Sequence, residues 1–447
     1  MSADSEPELQ LQALRCWREI LLAEEKRVES GDAKSKMDSN QSITLSNKIS
    51  GDQDSDATLV GGVLTQHSPR LYQMTKDKND RIRYACVDLL SHLLRQGLLN
   101  PFQTIPYLFG LQGDVDAPDI RALALKLLTN EGEKRPDMLR QRICAGVKNA
   151  FLYQRVVYPD KEVTAGIPHV SEGATTYKSI FASVFKESIR NTKKQKQGLF
   201  TNLLGLFDMG DADGNDKKQK TEKVNLPLLS FTAEVLAYLP YNTSSDPLFI
   251  IYHIQAATAL QGAQHLDRMM AFLQEQGFPV DVNDENNEED DLELAAKANR
   301  PSGSKKAALL AHRKFDILSF EELCETASSF TLLLRLKNYL RKVYRLSETR
   351  CIEYSPEGQE RNFDKIASTS DMPQFDSKIV GSFRHYPTDK NDPKEHDVNK
   401  DAVILQYAEF RRLLRMEQTV GARMTDSSDD EEDAKTGADD VEPMEED

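Results

Sequence analysis

The residues whose types and spacing come nearest to a metal-binding motif are the carboxylates between Asp211 and Glu222. Asp211, Asp213 and Asn215 stand at positions 1, 3 and 5 of this stretch and Glu222 at position 12, as in a calcium-binding loop. That loop needs glycine at position 6 for its sharp turn, whereas Gly214 falls at position 4. We therefore interpret the stretch as a solvated loop and expect no calcium site.

Side chains that carry out catalysis are present but are not arranged in known motifs. The eight histidines include no His-Glu-x-x-His pair, and the five cysteines include no Cys-x-x-Cys pair. No nucleophile elbow, phosphate-binding loop or dinucleotide-binding glycine motif occurs. Many carboxylates lie in acidic segments that cannot hold a general acid and a general base in register. We expect a protein that is not an enzyme and that holds no metal or other cofactor.

Two clusters of basic residues remain as candidate sites, in both cases for DNA phosphates. The first contains four basic residues where one predicted helix ends and the next begins, more than the helix dipole at a C-terminus accounts for. Its members are Arg190, Lys193, Lys194 and Lys196. The second flanks an apolar stripe on a long predicted helix, for which a solvated outer face is the alternative. Its members are Arg335, Lys337, Arg341, Lys342 and Arg345.

The net charge of −15 does not describe the whole chain. The tail Asp426–Asp447 contains twelve acidic residues and one lysine, and Asp281–Glu293 contains eight acidic residues and no basic one. Without these two segments the remaining chain carries a net charge of +4. A mildly basic folded part with two acidic segments is suited to binding a polyanion. Ser427 and Ser428 precede an acidic run in the tail, and both are candidate phosphorylation sites.

A helical pattern occurs twice, 38 residues apart. Ile82–Leu90 aligns with Ile120–Leu128, and an acidic residue precedes each copy. A period near 40 residues is typical of helix pairs that bury their apolar faces only by stacking into a solenoid. The fold class we predict is all-α, a HEAT-repeat α-solenoid with a disordered acidic insert and an acidic C-terminal tail.

Apolar periodicity and breaker residues predict the elements and their division into regions. The predicted helices cover residues 9–29, 59–74, 80–96, 102–111, 117–129, 137–158, 175–190, 198–208, 224–239, 247–272, 320–344 and 401–417, with a loop over 159–173. The predicted regions are an N-terminal helix (1–30), a disordered linker (31–56), a HEAT-repeat array (57–280), an acidic insert (281–306), a C-terminal helical part (307–420, irregular over 350–400) and an acidic tail (421–447). No run of 18 apolar residues and no signal-peptide pattern occurs, so we expect a soluble intracellular protein.

Four segments in order resemble the C-terminal part of the Nipped-B/sister chromatid cohesion protein family, the large subunit of the cohesin loader. They are QGLLNPFQTIPYL at 96–108, PY at 240–241 with DPLFIIYHI at 246–254, YSP at 354–356 with DKI at 364–366, and QYAEFRRLL at 406–414 before an acidic tail. Residues 190–200 also resemble a family stretch with several basic residues, which favours DNA contact by the first cluster.

This resemblance implies a hook-shaped HEAT solenoid that engages cohesin and DNA together in the nucleus, on chromosomes. Such a protein stimulates the ATPase of the cohesin ring and promotes its loading. The implied partners are the ATPase heads, the kleisin and double-stranded DNA. The segment that docks the small loader subunit has no counterpart in this sequence, so that partner is not expected. Two other hypotheses stay open: a HEAT-repeat protein-interaction adaptor without DNA contact, and an enzyme or metal-binding regulator.

Overall fold

The structure is a computed structural model, and it describes residues 7–29, 63, 66–171, 174–189, 192–207, 225–275, 317–357, 367, 372–378 and 405–419. The α-helices are α1 (Pro7–Glu29), α2 (66–74), α3 (Asp80–Arg95), α4 (Pro101–Gly110), α5 (Pro118–Lys134), α6 (Pro136–Val157), α7 (Ala182–Glu187), α8 (Lys193–Leu204), α9 (Leu226–Ala237), α10 (Ser245–Ala257), α11 (Ala263–Glu275), α12 (Ile317–Val343), α13 (Glu348–Glu353) and α14 (405–419). Two β-strands, β1 (Gly166–Ser171) and β2 (Ala174–Ser179), lie between α6 and α7.

Local sequence signals account for several helix starts. Asn79 and Asn100 cap α3 and α4, each accepting a hydrogen bond from the backbone N–H two residues later. Pro101, Pro118 and Pro136 stand at the first positions of α4, α5 and α6. A proline is tolerated there because the first amides of a helix have no intrahelical acceptor.

The chain divides into two compact units. The first comprises Met1–Leu206 and Glu234–Pro240, and the second comprises Phe207–Ala233 and Tyr241–Asp447.

In the first unit the helices alternate between two layers. α1 packs on α3, α3 on α5 and α5 on α7, and these four helices form the first layer. In the second layer α4 packs on α6 and α6 on α8. Tyr72 brings α2 into the same layer, because its ring stacks on Tyr107 of α4 with 4.2 Å between the centroids. Successive helix pairs stacked side by side are the architecture of a HEAT-type array, so the predicted helical class is confirmed.

Neighbouring helices within each layer pack closely against one another. Ile82–Leu90 lies in α3 and Ile120–Leu128 in α5, so the repeated segments are adjacent helices of the first layer. In the second layer Gly146 lets α6 approach α4, since a Cβ atom there would lie 2.6 Å from Phe109.

A buried carboxylate joins the two layers. Asp114 is fully buried and accepts from Nε of Arg83 at 3.0 Å and from the hydroxyl of Tyr153 at 2.6 Å. Tyr158 donates to the second carboxylate oxygen, and the backbone N–H of Ala117 reaches it at 3.2 Å. Burial raises the pKa of both tyrosines, so each remains a donor. A charge satisfied on all sides in this way fixes α3 of the first layer against α6 of the second.

The β-hairpin corrects the sequence prediction, which placed a loop over 159–173 and a helix over 175–190. Its strands pair antiparallel from Gly166 opposite Ser179 to Ser171 opposite Ala174, and in the second half of the predicted segment only Ala182–Glu187 is α-helical. Two consecutive threonines and a tyrosine in β2 have high strand propensity, a local signal that the apolar helical period outweighed in the prediction.

Contacts at its base hold the hairpin on the first unit. Glu234 is buried and accepts from the Thr164 hydroxyl and the Ala165 amide, both at 2.7 Å. The ring of Tyr177 stacks on Tyr238 with centroids 5.5 Å apart. The far end is exposed, and Val170 there retains 73% of its accessible surface.

The second unit is organised around the long helix α12. α10 and α11 both pack on it and are joined by a π-helical turn, Thr258–Gly262. α14 is held over α12 by rings: the centroid of Phe410 lies 6.0 Å from Phe330 and 6.2 Å from His265 of α11. Residues 372–378 also contact α12, where Tyr339 donates to the carbonyl of Pro373 at 2.9 Å.

The other predicted helices agree with the structure to within five residues at the ends that are described, with the largest differences at the end of α5 and the start of α8. The predicted linker (31–56), acidic insert (281–306) and acidic tail (421–447) lie outside the described residues, as do Ser427 and Ser428.

Candidate nucleic-acid interface

The first basic cluster forms the beginning of α8. Lys193 and Lys194 are exposed in its first turn, whereas Lys196 is only 5% exposed and its Nζ lies 5.7 Å from the ring centroid of Phe185. Arg190 lies outside the described residues. Two of the predicted lysines are thus available to a partner, and the third packs inside the first unit.

Lys193 and Lys194 lie at the end of α8 where the helix dipole disfavours positive charge. The N-cap residue Thr192 makes no side-chain capping hydrogen bond, and the first turn contains no acidic residue. Positive side chains are unfavourable at a helix N-terminus, where unpaired N–H groups already favour anions. Capping of a helix C-terminus, the local explanation for such a cluster, therefore does not apply to Lys193 and Lys194.

An acidic group beside this cluster is Asp137, at the start of α6. Gln195 donates to its carboxylate at 3.0 Å, and Arg140 forms a salt bridge with it at 3.4 Å. The Gln195 hydrogen bond, the Arg140 interactions and the charge of Lys194 all lower the pKa of Asp137. This one carboxylate is therefore shared by several donors and does not neutralise the exposed lysines.

Two further basic residues lie on the outward face of α6, and because each is isolated in the sequence, no charge cluster pointed to them. Arg140 and Cys144 face α8, and Asn149 faces α4. Between these two sides lie Lys148 and Arg155, both exposed and seven residues apart, hence on the same side of the helix. We call Lys148, Arg155, Lys193 and Lys194 the basic face.

Charge is distributed unequally between the two layers. By sequence, α2, α4, α6 and α8 together contain eight basic residues and one acidic residue. The helices of the first layer contain eleven of each. The excess positive charge of the first unit's helices therefore belongs to the second layer, on which the basic face lies.

The second predicted cluster is largely engaged inside the second unit. Arg335 pairs with Glu409 of α14 at 2.5 Å and donates to the carbonyl of Lys378 at 2.6 Å. Lys337 is buried and pairs with Glu417 of the same helix. We call these contacts of Arg335 and Lys337 the α14 clamp, because they hold α14 on α12.

The remaining members of that cluster lie at the end of α12. Arg341 pairs with Glu348 of α13 at 2.6 Å, and Lys342 and Arg345 are exposed. Arg345 has a φ of 49°, a left-handed conformation that often follows the last turn of a helix. Cations at this position are favoured by the dipole, so helix termination explains Lys342 and Arg345 without a ligand.

Cys86 and Cys324 are buried, and burial raises the pKa of both thiols, in Cys86 to about 12. Over the described ranges, no group of three or more His, Cys, Asp or Glu side chains is placed to hold a metal ion. Nor is any helix in that part of the chain long and apolar enough to cross a bilayer.

Comparisons with known proteins show what this array is similar to. The family model "Sister chromatid cohesion C-terminus" matches residues 60–257, which include both parts of the basic face. The Nipped-B protein of Drosophila melanogaster is 21% identical over 389 residues, covering 84% of this chain and 17% of that protein. The Nipped-B-like protein of Homo sapiens is 21% identical over 448 residues, covering 92% and 14%.

A solved structure shows the same fold. The C-terminal fragment of the Chaetomium thermophilum cohesin loader SCC2 matches with a TM-score of 0.50 and 15% sequence identity, over 76% of this chain and 20% of that chain. The chain is thus similar in sequence and in fold to the C-terminal part of Nipped-B proteins. It spans less than a fifth of the length of the fly and human relatives.

Proposed function

We propose that this chain is a non-enzymatic scaffold in cohesin loading, which binds duplex DNA through the basic face and cohesin through other surfaces. Its relation to the Nipped-B family supports a role in sister chromatid cohesion. The ATPase heads and the kleisin are the proposed cohesin partners. By holding them beside DNA, the scaffold stimulates the partner's ATPase and promotes loading in the nucleus, on chromosomes.

The observation that carries the DNA contact is the segregation of charge between the two layers. Lys148 and Arg155 are separated by about 10 Å along α6, from the rise of 1.5 Å per residue. Duplex DNA presents one negative charge per about 1.7 Å of its axis, so separate cations on one face can each meet a phosphate. The lysines at the start of α8 add an anion-attracting helix terminus beside α6.

Phosphate contacts of this kind do not read base sequence. We expect affinity to be independent of sequence and strongly dependent on salt. Neutralising about four phosphates gives a slope of log affinity against log salt near −3.6. A contribution from basic residues outside the described ranges would make the slope steeper.

The test is fluorescence anisotropy of the full chain with a labelled duplex over a salt series. Two double variants divide the basic face by helix: Lys148→Glu/Arg155→Glu on α6 and Lys193→Glu/Lys194→Glu on α8. Lys196 is left unchanged because it is buried. We expect each double variant to bind more weakly and with a shallower slope than the wild type.

A matched control makes the same charge change on the first layer. Lys126 of α5 and Lys186 of α7 are exposed, and Lys126→Glu/Lys186→Glu alters the net charge equally. If this control weakens binding as much as the other two, the attraction is a general charge effect and the basic face is not the site.

A second assay separates the scaffold from an adaptor without DNA contact. ATP hydrolysis by purified cohesin is measured with and without the full chain, each with and without duplex. Stimulation that requires DNA and is lost in the basic-face variants supports the proposal. Cohesin binding without any duplex affinity would leave the HEAT-repeat adaptor as the function.

A further inference from the structure

A groove of about 660 Å³ crosses the N-terminal half of α3, between α1 and α5 in the first layer. Apolar side chains of all three helices line it, among them Leu14, Tyr84 and Ile120. Tyr84 is 48% exposed although it is large and aromatic. An exposed aromatic ring among apolar neighbours is typical of a surface that another protein covers.

The edge of the groove beside α1 is positive. Arg15 of α1 and Arg81 of α3 are exposed. Arg81 lies on the side of α3 that faces α1, since Asp88, seven residues later, pairs with Arg18 of α1 at 2.5 Å. In the described part of the chain no carboxylate forms a salt bridge with Arg15 or Arg81, so both charges are available to a ligand.

The edge beside α5 is negative. Asp119 is exposed in the first turn of α5 and lines the groove. Asp80 is exposed at the start of α3. It lies on the same side of that helix as Arg83, and this side faces α5 because Arg83 reaches Asp114 just before α5. The groove thus has an apolar floor between one positive and one negative edge, and we call it the bipolar groove.

We infer that the bipolar groove binds an amphipathic α-helix of a partner protein, with acidic residues along one flank of its apolar stripe and basic residues along the other. An apolar stripe between charged flanks is how helices recognise one another in coiled coils and in helix-binding grooves. Nucleic acid does not match this surface, because half of its edge is acidic and the first layer contains equal numbers of basic and acidic residues. The two layers therefore serve different partners.

The probes are three labelled helical peptides with the same leucine stripe. One has Glu on one flank and Lys on the other, the second has Lys on both flanks, and the third has Glu on both. A peptide with its flanks exchanged is not a control, because turning a helix end for end also exchanges its flanks. The full chain should bind the mixed peptide about tenfold more tightly than either of the others, since only that peptide pairs with both edges.

A charge-reversal variant tests the direction of this preference. Arg15→Glu/Arg81→Glu makes both edges acidic, and the preferred peptide should become the one with Lys on both flanks. Because both arginines are exposed, thermal unfolding should be unchanged, which separates the effect from loss of structure. Replacing Tyr84 by Ser should weaken all three peptides without changing their order.

Three outcomes would overturn the inference: no binding of the mixed peptide, equal binding of all three peptides, or an unchanged preference in the charge-reversal variant. The result is independent of DNA affinity, which is measured on the same variants and should equal that of the wild type.

Discussion

The two basic clusters have similar composition and different structural environments. At the start of α8, Lys193 and Lys194 are exposed where the helix dipole opposes them. On α12, Lys337 is buried and Arg335 is bound by α14, while the exposed cations sit at the helix end that favours them. The first arrangement has an unexplained cost that a ligand would offset, and the second is accounted for within the protein. A basic cluster is thus a better candidate for binding when nothing inside the fold explains it.

The largest expected effect concerns the α14 clamp. Lys337→Glu places a buried carboxylate beside Glu417, and we expect the second unit to lose about 3–5 kcal/mol of stability. The measurement is urea unfolding, together with proteolysis at α14. Lys342→Glu, on the same helix but exposed, is the control and should cost only about 1 kcal/mol, because it reverses a charge that the helix dipole favours. Equal effects of the two would mean that the clamp does not hold α14.

The second prediction concerns the difference between the buried Lys196 and the exposed Lys193 and Lys194, which lie within one turn of α8. Lys196→Glu buries a carboxylate against Phe185, and we expect more than about 2 kcal/mol of destabilisation. Lys196→Met retains the packing and should cost less. If the Lys196→Glu variant has the same urea midpoint of unfolding as the wild type, the distinction between buried and exposed lysines of α8 is wrong.

The third prediction concerns pH and the ring contacts of α14. Burial lowers the pKa of His265, whose Nε2 lies 2.8 Å from the carbonyl oxygen of Leu323. A histidine with a folded pKa below its unfolded value binds more protons when unfolded. Its contribution to stability is therefore complete above about pH 6.5 and is lost as the pH falls toward the folded pKa. Unfolding of the second unit between pH 7.5 and 5.5 should show this loss, and His265→Gln should reduce it.

The last prediction concerns the two exposed lysines of α8 themselves. Lys193→Glu/Lys194→Glu replaces cations by anions at a helix N-terminus, which should stabilise α8 by about 0.3–1 kcal/mol. The same variant should bind duplex more weakly, so stability and affinity change in opposite directions. A thermal shift measured beside the anisotropy decides this. If the variant loses both thermal stability and duplex affinity, the two lysines stabilise the fold rather than bind a ligand.

The sequence predicted the helices well because their signals are local. Apolar periods and the prolines at 101, 118 and 136 determine most elements without reference to the rest of the chain. The hairpin was missed because its strands are short and follow a helical apolar pattern. Its anchor, Glu234, lies about 70 residues further along the chain than Thr164.

The candidate site was predicted only in part, for a different reason. Lys148 and Arg155 are isolated in sequence and share a layer with the lysines of α8 only because α6 packs beside that helix. The carboxylate that binds Arg335 is 74 residues away, in Glu409. Clusters in sequence reveal local charge, whereas the availability of that charge depends on distant residues.

The hairpin between α6 and α7 is also a suitable site for inserting a label. It is anchored only at its base in the contacts described, and Val170 near its far end is 73% exposed. A short tag inserted between β1 and β2 would fall between two secondary-structure elements rather than within a helix, and insertions between elements are tolerated best. A fluorophore at this position would report on complexes of the chain while leaving both the basic face and the bipolar groove unaltered.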